Sequence, residues 1–115
     1  MNIRYPSMIL ALALLLLANC ASATHCVVFV VDENHQTINN AKIYIDDWSN
    51  KIGTTTYNTG IGRNCWVGDI AQGEHTLNAE WNSMKPGKST HVGSAAANIK
   101  GSVPMMITIV THKVQ

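Results

Sequence analysis

Leucine is nearly absent from this chain beyond residue 23. Six of the seven leucines lie within the first 23 of its 115 residues, and only Leu77 follows them. Beyond residue 23 no window repeats apolar residues at i, i+3, i+4 and i+7, so no core-facing helix is expected there. An excess of one charge is also lacking, since the formal net charge is +1. This balance argues against nucleic acid as a partner, because such binding needs clustered positive charge.

Catalytic and metal-binding motifs are missing as well. The chain has no G-x-S-x-G, C-x-x-C or C-x-x-H sequence, and no two histidines stand at a metal-binding spacing. The carboxylate pairs Asp32-Glu33 and Asp46-Asp47 stand at predicted turns. Asp commonly hydrogen-bonds the local backbone in turns. We therefore predict a non-catalytic protein without a cofactor.

The first 23 residues contain the three parts of a secretory signal peptide. Arg4 lies in a short polar start, residues 8–18 form an unbroken apolar run, and Ala21-Ser22-Ala23 resembles a signal-peptidase site. The run is shorter than the roughly 20 residues that span a bilayer. We predict that residues 1–23 are a signal peptide and that the protein is secreted or periplasmic.

A second processing site is present in the same segment. Leu17-Ala18-Asn19-Cys20 resembles a bacterial lipobox, although Asn19 stands where that motif prefers Gly, Ala or Ser. In this alternative, lipid on Cys20 would tether the protein to a membrane. A membrane partner is expected only in that case.

Two cysteines remain once Cys20 is removed or lipidated. An even pair in an oxidising compartment usually forms a disulfide. We therefore predict a bond between Cys26 and Cys65, which would close a loop of about 40 residues and contribute roughly 4 kcal/mol.

Residues 24–115 form one predicted domain that is rich in β-branched residues. They include nine Val, nine Ile and ten Thr, which suit pleated strands better than helices. Period-2 alternation predicts about seven strands, at 26–32, 41–46, 51–57, 63–67, 74–81, 88–100 and 102–112. The segment 88–100 is either a weak strand or an irregular crossing. Many short strands without helices predict an all-β fold, a small antiparallel sandwich.

The order of these segments is similar to that of a known family. The span Val27–Trp81 resembles the carboxypeptidase-regulatory-like group of prealbumin-type β-sandwiches, which includes transthyretin-like, Cna-B-like and PEGA-like modules. The resemblance rests on five segments: Val27–Asp32, Asn40–Ile45, Lys51–Thr55, Asn58–Gly62 and Ile70–Ala79. It implies a seven-stranded immunoglobulin-like or prealbumin-like sandwich that acts as a binding or accessory module, and it carries over no catalytic residue.

Aromatic residues provide the candidate binding surface, which consists of Phe29, Tyr44, Trp48 and Trp66. The first strand is apolar on both faces, because Val27, Phe29 and Val31 alternate with Val28 and Val30. Such a strand is either covered on its second face or contributes to an exposed patch. The two alternatives are that residues 82–115 fold over it and that a partner binds there.

Two histidines have particular interpretations. His75 shares a face with Leu77, Ala79 and Trp81, which predicts a hydrogen-bonded core histidine. Cleavage before His25 would create a terminal amine and imidazole that together bind copper, which favours nitrogen ligands. The function we expect first is binding of a protein or a cell-surface polysaccharide. The alternatives are a copper-binding protein that uses His25 and a secreted enzyme inhibitor.

Overall fold

The computed structural model describes residues 22–84 and 87–114, which form nine strands and no helix. The strands are β1 (Ala23–Val31), β2 (Lys42–Ile45), β3 (Lys51–Thr54), β4 (Thr56–Asn58), β5 (Arg63–Ala71), β6 (Gly73–Asn82), β7 (Thr90–Ile99), β8 (Met105–Val110) and β9 (His112–Val114). The predicted all-β class is confirmed. Cys20 and all of the predicted signal peptide except Ser22 and Ala23 lie outside the described residues.

The strands form two sheets that share one core. One sheet has four strands in the order β4-β5-β1-β8, and the other has five in the order β3-β2-β6-β7-β9. The core contains Cys26, Val28, Val30, Ile107 and Ile109 from the first sheet. The second sheet contributes Ile43, Leu77, Ala79 and Ile99. Strand alternation therefore directs one face of each sheet inward, an arrangement compatible with a sandwich.

Two predicted strands are each divided in the structure, which raises the number from seven to nine. The predicted strand 51–57 divides at Thr55, and the predicted strand 102–112 divides at Thr111. Both threonines are fully buried. At each of them the chain passes from one sheet to the other. The period-2 alternation along the chain continues across both threonines, so the sequence pattern alone does not reveal the two crossings. The segment 88–100 contains the ten-residue strand β7, which settles the alternative left open there.

The prediction of a purely antiparallel sandwich is wrong for one strand pair. β8 pairs with β1 in parallel, with Val28 opposite Ile107 and Val30 opposite Ile109. β8 follows β7, which belongs to the other sheet. The direction of β8 is therefore set by a crossover between the sheets and not by a hairpin.

The predicted disulfide is not formed. Both Cys26 and Cys65 are buried free thiols. In the register of β1 and β5, Cys26 lies opposite Gly68, three positions from Cys65. An odd separation directs the two side chains to opposite faces of the sheet. Cys26 accordingly belongs to the core between the sheets, whereas Cys65 clusters with Val27, Phe29 and Val31 on the outer face.

The expectation that residues 82–115 cover this outer face is also wrong for the described part of that segment. Those residues form β7, β8 and β9, which lie within the two sheets. All nine described strands are used in the two sheets, so no described strand lies over the outer face of the four-stranded sheet. Among the described residues, no helix has the length and apolar character needed to cross a membrane.

Candidate functional site

The four predicted surface aromatics do not lie on one plane. Phe29 is buried on the outer face of the four-stranded sheet, beneath the guanidinium of Arg63, whose Cζ lies 4.3 Å from the ring centroid. Tyr44 and Trp48 form a tilted ring pair with centroids 5.2 Å apart. Trp66 packs against the core between the sheets. The predicted surface therefore separates into three places.

Trp66 occupies an opening between β5 and β3 that two glycines provide. A Cβ atom on Gly53 would meet the Nε1 atom of the indole, and one on Gly68 would lie 2.6 Å from its Cζ2 atom. Since real Cβ atoms need more than 3 Å, a side chain at either position would displace the ring. The indole therefore lies at the open side of the two sheets, where it lines a cleft.

This cleft, which we call the turn cleft, has a volume of about 450 Å³. Its apolar wall combines Trp66 with Ile45, Ile52 and Ile70. Its polar lining comprises Asp46, Asn50, Asp69 and His75. Ligand sites in proteins are typically clefts of roughly 300–1,000 Å³ with a few convergent polar groups. The turn cleft therefore has the size and the mixed lining of a binding site.

A hydrogen-bonded pair, Asp46 and His75, fixes the polar side of the turn cleft. The Nδ1 atom of His75 lies 2.8 Å from Asp46 Oδ2, and its Nε2 atom lies 2.9 Å from the carbonyl oxygen of Ala71. The other carboxylate oxygen, Oδ1, accepts the backbone N–H of Thr76 at 3.0 Å. Both partners of the imidazole, the Asp46 carboxylate and the Ala71 carbonyl, are hydrogen-bond acceptors. The pair thus ties the turn after β2 to the end of β5.

A second cleft of about 510 Å³ lies on the other side of this pair. It shares Asp46 and His75 with the turn cleft and adds Glu74, Thr76 and Asn98 to the polar lining. Among the described residues, neither Lys nor Arg lines either cleft. The described residues also hold no group of three or more potential metal-ligating side chains. The arrangement suits hydrogen bonding to a neutral polar ligand better than binding of an anion.

The hydrogen bonds from His75 and from the Thr76 backbone lower the pKa of Asp46 from its ordinary value of 3.8. A carboxyl with a lowered folded-state pKa stabilises the fold above its ordinary pKa, and the contribution is lost as the pH falls from that value through the lowered one. We expect wild-type protein to lose more free energy of unfolding between about pH 5 and about pH 3 than Asp46→Asn. Urea titrations at each pH would measure the difference.

Asp47→Asn is the matched control for this experiment. Asp47 lies on the same turn, but its carboxylate accepts from the backbone N–H of Ser49 and not from an imidazole. We expect this variant to retain the larger part of the wild-type acid dependence. Equal slopes for wild type and Asp46→Asn would contradict a stabilising hydrogen bond between Asp46 and His75.

His25, the residue of the copper hypothesis, lies on β1 opposite Asp69 of β5. Its Nδ1 atom lies 3.2 Å from Asp69 Oδ1, so its observed partner is a carboxylate. Thr24, the residue that must be removed to make His25 terminal, is buried. Its hydroxyl donates to the carbonyl of Gly101 at 2.8 Å. A chain that begins at His25 would therefore lose a buried contact of the fold.

Two residues of the site were not identified as such from the sequence. Asp46 was interpreted as a turn residue and His75 as a core histidine. The turn assignment is consistent with the positive φ of 61° at Asp46, and both nitrogens of His75 are indeed partnered. The sequence pattern does not reveal that Asp46 and His75 lie close together, because 29 positions separate them along the chain.

Comparison with models of known protein families finds no match to this chain, and a search of curated proteins finds none either.

Proposed function

We propose that this protein is an exported, non-catalytic binding module that recognises a cell-surface polysaccharide through the turn cleft. The observation that carries the proposal is the combination, in one cleft, of the Trp66 indole with a carboxylate held in place by His75. The signal-like N-terminus and the resemblance to prealbumin-type modules support it from the sequence. In the alternative in which Cys20 is lipidated, the lipid would keep such a module at a membrane.

The lining matches the chemistry of a sugar ring. One face of a sugar ring carries C–H groups that pack on aromatic and aliphatic surface, while its hydroxyls need hydrogen-bond partners. Trp66 and the three isoleucines supply the apolar surface, and Asp46 and Asn50 supply polar groups on the same turn. Hydrogen bonds to an ionised carboxylate are roughly twice as strong as neutral ones. The cleft can therefore orient one or two sugar units.

Trp48 extends the site beyond the cleft. It lies on the turn between Asp46 and Asn50, is 46% exposed and packs against Tyr44. An exposed tryptophan on the turn that carries Asp46 and Asn50 gives a polymer a further surface on which to rest. A polysaccharide, and not a single small sugar, can use both places.

We expect Trp48→Ala to weaken polysaccharide binding roughly 3- to 10-fold, since aromatic contacts contribute about 0.5–1.5 kcal/mol. The measurement is calorimetric titration with oligosaccharides from the cell-surface polysaccharides that bind the wild type. Tyr57→Ala is the matched control, because Tyr57 is an exposed aromatic on β4 outside both clefts. Equal weakening by the two variants, or no binding of any polysaccharide by the wild type, would overturn the proposal.

A further inference from the structure

The two outer faces of the sheets differ in polarity. The outer face of the five-stranded sheet presents mainly polar side chains: Lys42, Tyr44, Thr76, Asn78, Glu80, Ser94, Ala96 and Asn98. The outer face of the four-stranded sheet has an apolar centre: Val27, Phe29, Val31, Cys65, Val67, Met106 and Val110. Antiparallel sheets usually expose a polar face to water. The apolar face therefore needs an explanation.

Several residues of this apolar centre are open to solvent. Met106 is 72% exposed, Val110 is 45% exposed and Val67 is 38% exposed. They flank the buried row of Val27 and Phe29 on the neighbouring strands. No described strand lies over them, as shown above. The centre is thus positioned to be covered by a partner.

Opposite charges mark the two ends of this face. Arg63 and Asp69 both lie on β5, six positions apart, and share the outer face with Cys65 and Val67. At about 3.3 Å per residue, their Cα atoms lie roughly 20 Å from each other. Arg63 rests on the Phe29 ring, and Asp69 contacts His25. The face therefore has a positive end, an apolar centre and a negative end.

This arrangement is complementary to itself under one two-fold rotation. Suppose that two copies stack face to face about a two-fold axis that lies between the two faces and crosses the strands at right angles at the level of Trp66. The two β5 strands then run antiparallel, one above the other. Each Arg63 then lies opposite the partner's Asp69, and each Cys65 lies opposite the partner's Val67. An axis parallel to the strands would place like charges together, which is unfavourable. The charges thus select the antiparallel arrangement.

We infer that the outer face of the four-stranded sheet packs against the same face of a second copy of this chain in this antiparallel arrangement. The pairing is isologous, as in most homodimers. Stacked sheets of this kind cross at about 30° and lie about 10 Å apart. The turn cleft lies at the open side between the two sheets of one protomer and shares Asp69 with the negative end of this interface.

The interface is small. From strand spacing and rise, the face spanned by β5, β1 and β8 measures roughly 20 Å by 15 Å. A standard interface buries about 800 Å² on each partner. We therefore expect a dimer that forms at high protein concentration, dissociates on dilution and weakens with added salt.

Charge reversal and its rescue test the inference. In sedimentation equilibrium over a dilution series, the wild type should be a concentration-dependent dimer. Arg63→Glu alone and Asp69→Arg alone should each weaken self-association at least tenfold, because each places like charges opposite one another. An equimolar mixture of the two variants restores opposite charges at both ends, and it should dimerise although neither component does.

Lys42→Glu is the matched control, since Lys42 is an exposed cation on the outer face of the other sheet. It should leave dimerisation unchanged, and circular dichroism should show that every variant is folded. A wild type that stays monomeric throughout would overturn the inference, as would a mixture that stays monomeric. Either result would leave the polysaccharide proposal standing, because that proposal is tested separately through Trp48.

Discussion

We expect Gly93→Ala to lower the free energy of unfolding by about 3 kcal/mol or more. Gly93 lies buried on the inner face of β7. A Cβ atom there would meet the carbonyl oxygen of Val110 and lie 2.8 Å from its carbonyl carbon and 3.0 Å from Thr111 Cα. These are backbone atoms, so no side-chain rotation relieves the clash. β7 would have to move away from the end of β8, which opens the side where the two sheets meet.

Gly60→Ala is the matched control for this substitution. The nearest atom to a Cβ at Gly60 is Asn58 Oδ1 at 3.4 Å, an ordinary contact on an exposed turn. We expect it to change the free energy of unfolding by less than about 1 kcal/mol. Thermal unfolding should therefore show a fall of roughly 12 °C or more for Gly93→Ala alone. A Gly93→Ala protein as stable as the control would contradict the close approach of β7 to β8.

Thr111→Val should lower the free energy of unfolding by about 2–3 kcal/mol, although valine has nearly the same shape. The Thr111 hydroxyl donates to the carbonyl of Val31 at 2.7 Å and accepts from Trp81 Nε1 at 2.8 Å. Valine can do neither. The indole N–H and one lone pair of the carbonyl then lose partners at a fully buried residue.

A double-mutant cycle separates these contributions. Thr108→Val, on the exposed side of β8, should stay within about 0.5 kcal/mol of the wild type in urea unfolding. Trp81→Phe removes the indole donor, so adding it to Thr111→Val should cost less than the sum of the two single changes. Strict additivity would mean that the Trp81–Thr111 hydrogen bond does not contribute.

Thr111 links the two sheets at the point where the chain passes from β8 to β9. Thr111 binds Val31 in the four-stranded sheet and Trp81 in the five-stranded sheet. Thr55 has a comparable role at the other crossing, where its hydroxyl accepts the N–H of Ala41 and donates to the carbonyl of Ile38. At both crossings a buried hydroxyl satisfies backbone or indole groups where the chain changes sheet.

Much of the candidate site could not be predicted from the sequence. Trp48 was placed in a turn, and it lies there as an exposed residue beside Tyr44. Phe29, however, was predicted as part of the same surface and lies on the other sheet. Alternation assigns a residue to one face of its strand but does not say which sheet that strand joins.

The sequence by itself determined the all-β class, the positions of most strands and the two-sided character of β1. These follow from β-branched composition and from alternation, which are local properties of the chain. Only the tertiary structure decided that Cys26 and Cys65 face apart and that two strands change sheet at Thr55 and Thr111. It also decided that Asp46 meets His75. Each of these three features depends on strand register and sheet order, which are set by packing between segments far apart in the chain.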